Sequence, residues 1–186
     1  MILAQLKRKE NIAEYLLYMW QIEDLIRAYN LDIDKIDENL ISKYNVDDTQ
    51  RQEIKDWYES LIKMMELEDK KQMGHLQINK NVIIRLADLH NELLKSPKFP
   101  EYGAEFYKTL PYIVELRAKS GENKVGELET CFNALYGILM IKLQGKEISE
   151  DTVKAIAQIS KFLATLSAFY HKNEERPIFD DNEDNI

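Results

Sequence analysis

A single cysteine, Cys131, excludes an internal disulfide, so this 186-residue chain must fold on its core alone. A chain this long buries roughly 70% of its unfolded surface and needs no covalent staple. One thiol fits a reducing compartment. Only six Gly and four Pro punctuate the sequence, and β-branched runs are scarce. Both shortages favour helix over strand. No uncharged apolar run approaches the ~20 residues that span a bilayer. The basic cluster Lys7-Arg8-Lys9 follows the first apolar residues instead of preceding an apolar core, so no export signal is read. These absences predict a cytoplasmic location without membrane insertion.

Positive charge is also in short supply. The net charge is −8. From 173 to 186, six acids (Glu174, Glu175, Asp180, Asp181, Glu183, Asp184) face one base, Arg176, giving −5 and leaving −3 for the rest. The chain therefore reads as a body, 1–172, with an acidic tail, 173–186, whose composition resembles disorder. With no dense basic patch beyond three residues, binding to a nucleic-acid backbone is disfavoured.

What is present is helical periodicity. Residues 11–29, NIAEYLLYMWQIEDLIRAY, have no clean polar side and predict a helix packed among neighbours. The helix is expected to run from Leu3 to Asn30, with Asn30 as its C-cap. A short helix follows over 35–43, then a long one from Asp47 or Asp48 to Lys71. The next covers 76–95 and stops before Ser96-Pro97. Pro111 is expected to kink or split a helix over 101–119, with Thr109 capping the second piece. Further helices are read at 124–144 and, from Ser149, to Lys172. The last aligns the small residues Ala157, Ser160, Ala164, Ser167 and Ala168 for close packing. Short connections make neighbours antiparallel. The expected fold is all-α: a single-domain, mostly antiparallel bundle of six or seven helices with a central N-terminal helix.

Two segments, KRKENIAEYLLYMWQIEDLIRAYN and GELETCFNALYGILMIKLQGKEISEDTVKAI, resemble a Bacteroidetes family classed as a domain of unknown function. The resemblance covers the chain to about His171. It implies a helical, cytoplasmic bacterial protein and supplies no activity, cofactor or catalytic residue.

Candidate sites are few. Glu23 and Arg27 fall on the apolar side of their helix at i, i+4, in the acid-first order that favours pairing. They predict a structural ion pair at the edge of the core, or else the wall of a pocket for a charged ligand. Arg85 and His90 form an Arg-x4-His arrangement similar to that of small helical ribonucleases, with His as base and Arg on the phosphate. A short motif of this kind arises readily by chance, and a half-exposed His90 beside Asp88 is the plainer expectation. His75, His90 and His171 lie far apart, without metal-ligand spacing, and no Glu-x-x-His occurs, so no metal or cofactor is expected. Cys131, among Leu128, Phe132 and Leu135, reads as a small core residue. Most of the ten tyrosines read as core aromatics. The sequence specifies no activity. By default it points to a non-enzymatic protein-interaction or scaffolding module, with self-association open. A small-molecule-binding or enzymatic bundle with a pocket near Glu23 and Arg27 is the alternative.

Overall fold

The computed structural model describes residues 2–119 and 125–179. Among them the chain is helical throughout, with no strand. The helices are α1 (Ile2–Glu10), α2 (Ile12–Ala28), α3 (Ile33–Asn39), α4 (Asp48–Leu67), α5 (Gln77–Lys95), α6 (Pro100–Lys119), α7 (Glu127–Leu143) and α8 (Glu150–Glu175), with a 3-10 turn at Ile41–Lys43. None is long and apolar enough to cross a membrane. The chain gathers into two compact units, one of Met1–Glu10 with Glu14–Val82, the other of Asn11–Ala13 with Ile83–Ile186.

Local chemistry sets the helix ends. The Asp32 carboxylate accepts the amides of Asp34 and Lys35 to start α3. Asp47 and Gln50 form a reciprocal capping box on α4. The Ser149 hydroxyl accepts the Thr152 amide at α8. Asn30, at φ 55°, ends α2 as expected, but Leu31 follows it into the left-handed region at φ 60°. That conformation costs a side-chain-bearing residue about 1–2 kcal/mol. The Leu31 amide reaches back to the Ile26 carbonyl at 3.0 Å, which helps hold it there.

The long N-terminal helix is two helices. It breaks at Asn11, whose side-chain oxygen accepts the Ala13 amide at 3.0 Å and so opens α2 afresh. Along α2 only Glu14, Asp24 and Ala28 are exposed, so the helix indeed lacks a wet side. In the first unit α3, the 3-10 turn and α4 pack on one another. Ile36, Ile41, Tyr58, Leu61 and Met65 are buried there.

In the second unit α6, α7 and α8 pack pairwise. Helix α6 runs unbroken through Pro111, contrary to the expected split. Thr109 is not a cap; it is buried, and its hydroxyl donates to the Glu105 carbonyl at 2.9 Å. Tertiary bonds bind this stretch of α6 to α8. Gln158 donates to Glu105 (2.7 Å) and to Thr109 (3.1 Å), and Lys161 donates to Glu105 (2.9 Å). The Lys161 ammonium holds the Glu105 carboxyl below its ordinary range.

The small residues of α8 do not pack as expected. Ala157, Ser160, Ala164 and Ala168 face solvent and only Ser167 is buried. The core face of α8 is Ile159, Phe162, Leu163, Leu166, Phe169 and Tyr170. The helix also continues past Lys172 to Glu175, and Phe179 packs edge-on against Phe99, so the start of the acidic tail is ordered. Its acids Asp180, Asp181, Glu183 and Asp184 lie outside the described residues.

Candidate functional site

Near the end of α2, Glu23 is wholly buried. Its partner is not Arg27. One carboxylate oxygen accepts the Leu76 amide at 2.9 Å and the Asn79 side-chain amide at 2.7 Å. The other lies 2.6 Å from His75 Nδ1. The His75 ring stacks on Trp20, with centroids 4.0 Å apart and 10° between planes. Arg27 donates instead to Asp24 at 2.6 Å, to the Lys70 carbonyl at 3.1 Å and to the Gly74 carbonyl. The reason is local. Helix α5 begins after Leu76, a residue with no side-chain acceptor, so the donors around its start, the Leu76 amide and the Asn79 side chain among them, need an anion from elsewhere. Glu23 supplies one, and Glu68 a second, accepting the Gln77 amide at 2.6 Å. Such bonds outweigh a surface i, i+4 pair worth about 0.3–0.5 kcal/mol. Three donors occupy the Glu23 carboxylate, which therefore serves as a clamp on the α4–α5 connection.

His90 and Arg85 sit on different faces of α5, about 140° apart at 100° per residue. Arg85 is exposed, whereas His90 is only 4% exposed. The expectation of a half-exposed His90 fails. Its Nδ1 is 2.6 Å from the Tyr102 hydroxyl, and Phe106 and Phe162 meet the ring edge-on. Burial pushes the imidazole down to about 4, so it is neutral near pH 7. With Nε2 3.9 Å from the Glu127 carboxylate, the network favours the Nε2–H tautomer, with the Tyr102 hydroxyl donating to Nδ1. Arg85 and His90 do not line one groove. Cys131 is fully buried, and burial, with Glu127 nearby, pushes its thiol up to about 12. That leaves it a protonated core residue at neutral pH. Among the described residues no three His, Cys, Asp or Glu are grouped to hold a metal ion.

A third feature was not singled out from sequence. The end of α6, the second half of α7 and the start of α8 leave a cleft of about 700 Å³ between them. Tyr112, Leu116, Ala134, Ile138, Ile141 and Ile156 supply its apolar wall. Glu115, Lys119, Asp151 and Lys154 stand at its rim, paired acid to base at 2.6 and 3.5 Å. The cleft follows from α7 itself. Its first turns bury Leu128, Cys131 and Phe132. From Ala134 to Ile141, every residue is only half-buried, and Leu143 is 69% exposed. A helix apolar on all sides normally has neighbours on all sides. Here the described residues cover it only in part along half its length. The signal was the run ALYGILMI, as free of a polar side as α2.

Comparison with curated proteins and with solved structures returns no match. A family model does match, over residues 1–176. That span takes in both units and every helix described above, and the chain belongs to the family described as a domain of unknown function, DUF4924.

Proposed function

We propose that the protein is a non-enzymatic, cytoplasmic helical module that binds another protein through the α6–α7–α8 cleft. One observation carries this reading: residues 134–141 of α7 are apolar around the helix and only half-buried by the described residues. Exposed apolar patches with polar rims mark interaction sites, and an apolar groove of this kind receives an amphipathic helix through anchors at i, i+3, i+4 and i+7. The test is affinity capture with the full chain and with Ile138→Asp as baits. A partner held by the wild type should be lost from the variant. Equal recovery by both baits would refute the reading.

A second reading is favoured by the size of the cleft. About 700 Å³ lies within the 300–1,000 Å³ range of small-molecule sites. A small apolar ligand there would raise the melting temperature of the wild type and leave Ile138→Asp unmoved. This alternative moves the ligand site away from Glu23 and Arg27, whose hydrogen bonds go to the chain's own backbone and side chains.

A further inference from the structure

The geometry points to a second copy of this chain as the occupant of the cleft, the two α7 helices crossing at Gly137. This rests on the interaction reading and names its partner. The first support is Gly137 itself. It sits mid-helix with no positive φ, and a Cβ added there would meet no atom within 4 Å. Glycine inside a helix costs about 1 kcal/mol relative to alanine. Nothing among the described residues requires it. Close approach of a second helix backbone does use a missing Cβ.

Its surroundings are the second support. Ala134, Ile138 and Ile141 share the cleft-lining face of Gly137 at helical spacing. They offer a small-residue crossing point flanked by two branched side chains, a shape that interdigitates with its own image.

Charge is the third. Of the net charge of −8, the tail carries −5, so two copies repel mostly through their tails. The cleft rim carries two acids, Glu115 and Asp151, against two bases, Lys119 and Lys154. A two-fold contact sets one patch against itself and demands self-complementarity. A neutral rim of alternating sign meets that demand. A strongly basic partner would gain nothing from it.

The test is light-scattering mass and sedimentation of the full chain over a concentration series, for wild type, Gly137→Ala and Ile138→Asp. The wild type should reach twice the chain mass. Ile138→Asp should weaken the dimer at least ~30-fold, the scale of an interface hot spot. Gly137→Ala should also weaken it, while its melting temperature, at a dilution where the wild type is monomeric, stays equal or rises. That second readout separates a blocked crossing from a misfolded chain. A wild type monomeric at every concentration overturns the second copy, as does a dimer that both variants leave intact. The broader interaction reading falls separately, on equal recovery by the two baits.

Discussion

Replacing Glu23 by alanine removes the acceptor of two donors that have no other outlet. Leu76 and Asn79 are both fully buried, so the Leu76 amide and the Asn79 side-chain amide lose their bonds without gaining water. Each buried donor left unmet costs about 1–3 kcal/mol. His75, 25% exposed, recovers part of its loss from solvent. The lost anion at the start of α5 adds about 0.3–1 kcal/mol. Relief of the carboxylate's own burial offsets some of this. The expected net loss is about 3–5 kcal/mol. Glu23→Gln retains an oxygen for the two amides; it loses charge assistance and turns its NH2 toward half-exposed His75, a cost of roughly 1–2 kcal/mol. Glu23→Met retains volume but offers no comparable acceptor, so it should resemble alanine. Urea unfolding followed by tryptophan fluorescence reads the right region, because Trp20 and Trp57 both lie in the first unit and Trp20 stacks on His75. Hydrogen exchange at the Leu76 amide should accelerate in Ala and Met and much less in Gln. An alanine cost below ~1 kcal/mol, or a methionine as mild as glutamine, would refute the account of Glu23 as a buried helix cap.

His90 should make stability pH-dependent. Its folded value of about 4 lies below the ordinary 6.5, so between these pH values the unfolded chain binds more protons. Its contribution is complete above about 6.5 and is lost as pH falls toward 4, by about 3 kcal/mol at most. His90→Asn should flatten the urea midpoint over that window; an unchanged slope would refute it. Cys131, buried with a thiol pushed up to about 12, should resist a thiol reagent in native buffer and react fully in urea. Rapid native labelling would mean the α7 packing is wrong. Gly137→Ala should stabilise the isolated chain by about 0.5–1 kcal/mol in denaturant titration, since the added methyl meets nothing. Destabilisation would mean a contact fills that space.

The unequal fates of two similar sequences show what was legible. In α2 and in the second half of α7, apolar residues occupy every angle of the helix. From periodicity alone both belong in a core. In α2 that holds, and the buried Glu23 is tolerated because the Leu76 amide and the Asn79 side chain, at the start of α5, arrive to meet it. In α7 the described residues meet it only by half, because periodicity reports what a helix needs and not what packs against it. The Glu23–Arg27 spacing misled in the same way. It measured a local pairing of small worth and could not register unsatisfied amides more than 50 positions away. Caps at Asp47 and Ser149 were legible because a helix start is decided within three or four residues. The break at Asn11 carried the same kind of signal, an asparagine two residues before the amide it accepts, and was hidden only by the apolar pattern running through it. At Pro111 the split did not occur: a strong local breaker stands against the bonds from Gln158 and Lys161 to the turns before it. The half-buried stretch of α7 is then the part of the fold on which the proposed interaction rests.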